Sequence, residues 1–231
     1  MKKKLVVLTG AGISAESGIR TFRDGDGLWE GYDVTEVASP EGWKRNPELV
    51  LDFYNMRRRQ ALEALPNAAH KGLAEWEQWF DVQVITQNID DLHERGGSSN
   101  VTHLHGEIFK MRSVKSLSPS FEIKGDIRLG DLAADGGQLR PDIVWFGEAV
   151  PMIEKAIAIT RSADLFVVIG TSLVVYPAAG LIDVAPFHSK KFVIDKSIPA
   201  VQHVSHLTAI EKPATEGVRE LTEHLKSEYG F

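Results

Sequence analysis

The chain has 231 residues, 43% of them apolar, enough to bury a full core in one large domain or in one with a small insertion. A net charge of −6, with only short basic runs at Lys2 to Lys4 and Arg57 to Arg59, excludes a general nucleic-acid binder, because counterion release needs clustered Lys and Arg. Cysteine is absent, which removes disulfides, thiolate catalysis and any Cys-based zinc site, and is consistent with a cytoplasmic protein.

Leu5 to Leu8 follows the Lys run as a four-residue apolar segment. That is too short for the roughly 7 to 15 residues of a secretory signal core and typical of a strand buried on both faces. It runs into Gly10-Ala11-Gly12-Ile13-Ser14-Ala15 and an expected helix. Gly10 suits a tight turn, Gly12 a close approach of backbone to a pyrophosphate, and Ala15 the place where a dinucleotide fingerprint takes Gly or Ala. A glycine turn without a ligand reads the same when it stands alone. The acidic residue that a dehydrogenase carries about 20 residues on falls at Trp29 to Asp33, at the start of a long excursion over 31–65, which strains an ordinary hydride-transfer reading. Within the excursion, Pro47 to Leu65 carries Leu49, Phe53, Met56 and Leu62 on a helical pattern.

Val82 to Ile85 is the next buried strand, and Thr86-Gln-Asn-Ile-Asp-Asp-Leu-His93 follows at its carboxyl edge. The amide and carboxylate groups of Gln87, Asn88 and Asp90 suit ribose hydroxyls and a carboxamide; singly, each could be a loop or cap residue, with Asp90 or Asp91 a natural helix N-cap. His103 and His105 alternate on the short run Val101 to His105 and so point the same way. With no Cys and no third ligand a metal site is a poor reading. His105, before Gly106, is the better general base, since an imidazole titrates near neutrality. Residues 107–139 read as irregular and polar. Leu165 to Ile169, Phe192 to Ile194 and Leu207 to Ile210 are further strands, and Val218, Leu221 and Leu225 repeat at helical spacing. Arg161, Asp164 and Asp183 interrupt the apolar stretch 157–185, so no membrane span is expected.

Strands alternating with helices imply an α/β fold with a doubly wound, mostly parallel, Rossmann-like sheet and a smaller inserted module. We assign residues 1–30, 66–106 and 140–231 to the NAD-binding domain, and 31–65 with 107–139 to the small module, with a cleft between them.

Six ordered segments, GAGIS with ESGI, TFR (21–23), TQNIDDLH (86–93), LHG (104–106), LRPDIVWFGE (139–148) and GTSLVVYPA (170–178), resemble the sirtuins, NAD-dependent protein lysine deacylases. The resemblance covers almost the whole chain. It implies that Gly10, Ala11, Gly12 and Ser14 line the NAD phosphates, with Phe22 and Arg23 on a mobile loop over the cofactor. Gln87 and Asn88 would hold the nicotinamide ribose, Ile89 and Asp90 the carboxamide, and Gly170, Thr171 and Ser172 the ribose and phosphates. His105 would be the catalytic base, with Asn88 beside it. Phe146, Gly147, Glu148 and Val150 would border the acyl-lysine channel and pair with the substrate backbone as an added strand. The implied reaction consumes NAD: an acyl-lysine oxygen displaces nicotinamide, and the products are free lysine, nicotinamide and O-acyl-ADP-ribose.

Two departures from the family pattern matter. Most sirtuins hold a structural zinc with four cysteines between the catalytic His and the FGE segment; here 106–147 contains none, and Ser113 follows Arg112 about where a first Cys would stand. A zinc-free small module stabilised by ordinary packing is expected. Asp195 replaces the usual Asn near the adenosine, which keeps a ribose acceptor but adds charge. Tyr54 and Arg57, three apart on a helix, resemble the pair by which a sirtuin subgroup recognises succinyl-, malonyl- or glutaryl-lysine. A solvated basic helix face is the bland alternative. Other functions for the same pocket are an NAD hydrolase or ADP-ribosyltransferase, a hydride-transfer dehydrogenase, or a non-catalytic NAD-binding sensor. The expected partners are acyl-lysine proteins or peptides, with no nucleic acid and no membrane.

Overall fold

The computed structural model describes residues 2–20 and 28–231. In chain order its elements are β1 (Lys4–Thr9), β2 (Leu28–Trp29), β3 (Tyr32–Asp33), α1 (Val34–Val37), α2 (Pro40–Arg45), α3 (Pro47–Glu63), α4 (Ala68–Trp76), β4 (Asp81–Thr86), α5 (Leu92–Arg95), β5 (Val101–His103) and β6 (Gly106–Ser113). There follow β7 (Ser120–Glu122), β8 (Leu139–Ile143), α6 (Ile153–Arg161), β9 (Leu165–Ile169), α7 (Leu181–Val184), β10 (Lys190–Asp195), β11 (Leu207–Glu211) and α8 (Ala214–Tyr229).

The apolar runs expected as strands assemble into one parallel sheet ordered β5-β4-β1-β9-β10-β11. Counted along the chain, those six strands stand in the order 3-2-1-4-5-6, the doubly wound dinucleotide arrangement. The alternation of side chains explains why β1 is apolar throughout. Leu5 and Val7 join Leu73 and Trp76 of α4 and Val218, Leu221 and Leu225 of α8 on one face. Val6 and Leu8 join Ala156 of α6 and Leu181 and Ile182 of α7 on the other. In register, Thr9 lies level with Thr86 on one side and Ile169 on the other. The winding reverses between β1 and β9, and a ligand crevice opens at such a switch point.

Helix limits follow local chemistry. Asn46 caps α3 by accepting from the Leu49 amide at 3.1 Å, with Pro47 at the first helical position. Asn67 caps α4 by accepting from the Ala69 amide, while its own amide donates to His70 Nδ1. Gly230, in the left-handed region, ends α8.

The helix expected directly after Gly12 does not form as an α-helix. The chain makes two 3-10 turns, Ala11–Ile13 and Ala15–Ser17, and stops at Gly18 with φ +86. A further difference lies in 107–139, read as irregular: it begins inside the eight-residue strand β6, which pairs antiparallel with β7 and β8. Lys110 and Arg112 hid this strand, because their charges break the apolar pattern. They are accommodated by Glu107 at 2.7 Å and Asp142 at 3.1 Å. Pro141 is tolerated because β8 is an edge strand. Residues 139–143 therefore hydrogen-bond within the small sheet rather than the large one.

Val50, Phe53, Tyr54 and Ala61 of α3 pack on Ile108, Ile143 and Trp145 to form the module's own core. The Arg triplet of α3 is not a solvated face. Arg57 and Arg58 are buried, and Arg59 alone is exposed. Arg58 donates to the carbonyls of Ile108 (2.8 Å) and Gly125 (3.1 Å) and to Asn55 Oδ1 (2.9 Å). Asn55 in turn brackets Ile127, accepting from its amide and donating to its carbonyl, both at 2.9 Å. Arg59 grips both oxygens of Asp126. Three consecutive polar contacts thus clip residues 125–127 onto α3.

Candidate active site

The carboxyl ends of β1, β4, β9 and β10 open into a cavity of about 720 Å³. Its floor is made by two turns packed against each other, Gly10 to Ser14 after β1 and Gly170 to Ser172 after β9. The Gly12 amide donates to the Gly170 carbonyl at 2.8 Å. A Cβ on Gly12 would come within 2.6 Å of Gly170 Cα, and one on Gly170, with φ +64, within 2.4 Å of the Ile13 amide nitrogen. These glycines are required by the contact between the turns themselves, a reason the sequence does not display beside the expected approach to a pyrophosphate.

Of the expected site residues, Phe22 and Arg23 lie outside the described residues. All the others line the cavity: Gly10, Ala11, Gly12 and Ser14; Gln87, Asn88, Ile89 and Asp90; His105; Gly170, Thr171 and Ser172; Asp195; Tyr54 and Arg57; and Phe146, Gly147, Glu148 and Val150. Arg20, Lys196 and Lys212 also line it and bring cationic charge to an acidic protein.

Under the first turn, Ser14, Asn88 and Asp90 form one buried cluster. Asn88 Nδ2 donates to Ser14 Oγ at 3.1 Å, and Ser14 Oγ donates to Asp90 Oδ2 at 3.2 Å. Asp90 Oδ1 accepts from the Leu92 amide at 3.1 Å, so Asp90 rather than Asp91 uses its side chain at the start of α5. Burial raises the Asp90 carboxyl, against the lowering effect of these hydrogen bonds. Behind the cluster, His93 Nε2 meets Thr9 Oγ1 at 2.9 Å, and Thr9 donates to Thr86 Oγ1 at 2.8 Å. Thr86 Oγ1 accepts from the Asn88 amide. Gln87 Nε2 reaches Thr171 Oγ1 at 3.1 Å and ties the two strand ends together. Asp195, at the end of β10, accepts from the Ser197 amide at 3.0 Å.

The two histidines separate clearly. His105 Nδ1 faces the Gln87 carbonyl at 3.0 Å; a carbonyl only accepts, so Nδ1 carries the proton and Nε2 keeps its lone pair. Burial lowers its pKa below the ordinary 6.5, against the raising effect of that bond, leaving a neutral imidazole at pH 7. His103 lies between the Asn88 carbonyl (3.1 Å) and the Glu94 carboxylate (2.8 Å). Burial, its largest single influence, would lower it, but Glu94, Glu107 and the Asn88 carbonyl together raise it, and an acceptor at each ring nitrogen suits the protonated ring.

The lining also includes apolar side chains, Ile143, Trp145, Val150 and Val174 among them. Glu148 lines the cavity too, but its carboxylate is engaged by Arg140 Nη1 (2.7 Å) and the Trp145 amide (2.9 Å). Arg140 also stacks 3.2 Å over the Trp145 ring. Glu148 thereby shapes the turn Trp145 to Gly147, whose Phe146 amide donates to the Ala38 carbonyl. Tyr54 Oη lies beside the Trp145 indole outside hydrogen-bonding geometry, and both groups are buried without a partner among the described residues. Arg57 Nε is likewise buried and unpartnered, while Nη1 donates to Glu30 Oε1 at 2.6 Å and Gln60 Oε1 at 3.0 Å.

Residues 10–177 match the model of the Sir2 family. The chain belongs to the Sir2 family. An "NAD-dependent protein deacylase" of Helicobacter pylori is 54% identical over 95% of this chain and 96% of its own length. A protein of the same description from Bacteroides thetaiotaomicron is 53% identical over 96% and 98%. Among solved structures, a Sir2 homologue in complex with ADP-ribose superposes with a TM-score of 0.89 at 38% identity, covering all of this chain and 94% of that one. A Sir2 homologue bound to NAD gives 0.87 at 38%, over 98% and 91%.

Sequence reasoning passed over several residues of this Sir2 protein's site. His70, buried in α4, approaches Ser14 Oγ at 3.4 Å through Nε2 while Nδ1 accepts from the Asn67 amide. Burial lowers its pKa to about 4. Its signal was a capping box with His in the place of the usual Glu or Gln. Thr9 lay between the expected strand Leu5 to Leu8 and the glycine turn, His93 was only the last residue of the TQNIDDLH segment, and Glu30 stood at the end of the 1–30 stretch with no role assigned.

Proposed function

We propose that this Sir2 protein is an NAD-dependent protein lysine deacylase in which His105 is the base and the apolar lining of the cavity receives the acyl-lysine. One observation carries the reading: a single cavity is lined by the polar turns at the switch point, by apolar residues such as Ile143, Trp145 and Val150, and by the neutral imidazole of His105. A dinucleotide and an acyl chain therefore share one chamber with a neutral imidazole. NAD supplies a ribose carbon bearing a nicotinamide leaving group and a ribose hydroxyl that accepts the acyl group. His105 Nε2 takes the proton of that hydroxyl, and its Nδ1–H bond to Gln87 fixes the ring for it. Asn88 and Asp90, rigid in their cluster with Ser14, hold the nicotinamide side, with Gln87 and Ile89 beside them. The Gly10 to Ser14 and Gly170 to Ser172 turns, with Lys196 and Lys212 on the same cavity, receive the phosphates and riboses. Asp195 lies toward the adenosine. The apolar lining excludes water that would otherwise hydrolyse NAD.

Nicotinamide release tests this directly. A deacylase releases nicotinamide with acyl-lysine peptide and far less with the unmodified peptide; equal release with both would make the protein an NAD hydrolase.

Two finer readings rest on particular contacts. Tyr54 and Arg57 line the cavity, and their Oη and Nε are buried donors without a partner among the described residues, groups that are costly unless a ligand satisfies them. We assign them to the carboxylate of an acidic acyl chain, succinyl, malonyl or glutaryl. The small module is read as zinc-free: Ser113 Oγ donates to Asp135 Oδ1 at 2.9 Å, Asp135 accepts from the Gly137 amide at 2.8 Å, and Lys115 joins both. Hydrogen bonds thus knit the ends of the loop 113–137.

A further inference from the structure

Glu30 occupies an expensive position. The strands β2 and β3 pair Trp29 with Tyr32, leaving Glu30 and Gly31 as a two-residue hairpin turn with φ +54 and +84. Positive φ at both central positions is the geometry that favours Asn-Gly or Gly-Gly, so a Glu in the first position runs against local preference. Residues that break a local rule in this way concentrate where function retains them. Here the side chain is engaged: the Glu30 carboxylate is about nine-tenths buried and binds Arg57 Nη1 at 2.6 Å through Oε1, with Arg20 Nη1 3.8 Å from Oε2. Arg57 is as deeply buried, and its guanidinium lies 5.1 Å over the Trp29 ring. Trp29, Tyr54 and Arg57 line the cavity.

The consequence is electrostatic. An Arg at the end of an acyl pocket discriminates for carboxylates through its unit charge, and in a buried site that discrimination is large. Glu30 neutralises that charge through Nη1 before any substrate arrives, while leaving Nε without an acceptor among the described residues. We propose that Glu30 is a specificity-determining counter-charge: by pairing with Arg57 it tempers the preference for acidic acyl chains and lets the same pocket accept uncharged ones. The inference rests on the assignment of Tyr54 and Arg57 to the acyl carboxylate. It differs from a positioning role, in which Glu30 would hold Arg57 in its productive geometry and its loss would weaken succinyl recognition.

The test is the ratio of kcat/KM for succinyl-lysine over acetyl-lysine peptides of one sequence, measured for wild type, Glu30→Gln, Arg57→Met and the double variant. Glu30→Asn is included because Asn suits the turn and removes the carboxylate with the fold secure. The expected result is that both Glu30 variants raise the ratio roughly tenfold through a lower KM for the succinyl peptide, and that the gain vanishes in the Arg57→Met background. A ratio that stays level or falls in both Glu30 variants, while Arg57→Met still lowers it, overturns the counter-charge and leaves the carboxylate assignment standing. A ratio indifferent to Arg57→Met overturns the assignment of Arg57 itself.

Discussion

At the residue scale, the pair His103 and His105 shows how environment divides two identical side chains two positions apart. The sequence favours His105 as the base from its place before Gly106, and the acceptor identities supply the physics: a single carbonyl for His105, a carbonyl and a carboxylate for His103. Replacing His105 by Ala should cut deacylation by about 10²- to 10⁴-fold with NAD binding kept, measured by turnover and by calorimetric titration. Because its pKa lies below 6.5, the acid limb of kcat/KM should fall below pH 6.5, and a limb centred above 7 would contradict the neutral imidazole. Arg57→Met should lower desuccinylation far more than deacetylation, since only the acidic chain uses the guanidinium; equal losses would contradict the carboxylate role. Arg57 was readable as part of a triplet, but its partner Glu30 was not, because a contact 27 residues distant leaves no local pattern.

At the element scale, α3 joins site and scaffold. Its Tyr54 and Arg57 face the cavity while Asn55, Arg58 and Arg59 fasten residues 125–127. Arg58→Ala would strand the Ile108 and Gly125 carbonyls around a buried void, and should cost about 2 to 4 kcal/mol in urea unfolding, with faster amide exchange at Ile127. Arg59→Ala breaks an exposed pair and should cost under about 1 kcal/mol. Comparable losses from both would contradict the clip. The buried strands of the large sheet were legible because their apolar runs are short and rich in β-branched residues, which suits a strand buried on both faces. β6 was not, because Lys110 and Arg112 break the apolar pattern; Lys110 is paired within the strand by Glu107 and Arg112 across it by Asp142. The 3-10 turns after β1 were missed for a related reason: the chain there is shaped by contact with Gly170, not by its own helical propensity.

At the scale of the whole molecule, the 3-2-1-4-5-6 order brings the segments 10–14, 87–90, 105 and 170–172, scattered through the sequence, to one crevice, and the small module adds Tyr54, Ile143 and Trp145 to its lining. The alternation of strands and helices carried that architecture, and the side-chain contacts across the crevice did not show in it. Acid stability follows from the same packing. His70, His93 and His105 are held below their ordinary value by burial, and His103 above it. A depressed histidine contributes stability above its unfolded pKa of 6.5 and loses it as pH falls toward the folded value, about 1.4 kcal/mol per pH unit for each such group. His103 acts only above 6.5, where its contribution is lost as pH rises through its raised folded value, so it does not offset the other three below 6.5. The melting temperature should therefore decline as pH is lowered from 6.5 toward 4, and a flat profile would contradict three neutral buried histidines. In the zinc-free reading, chelator should leave the melting temperature unchanged and trace-metal analysis should find no stoichiometric zinc.

The most direct measurement is mass spectrometry of matched acetyl- and succinyl-lysine peptides incubated with the protein, with and without NAD. NAD-dependent loss of the acyl group, matched mole for mole by O-acyl-ADP-ribose and nicotinamide, is the expected result. Nicotinamide and free ADP-ribose with the peptide still acylated would contradict a chamber built to join acyl-lysine to NAD.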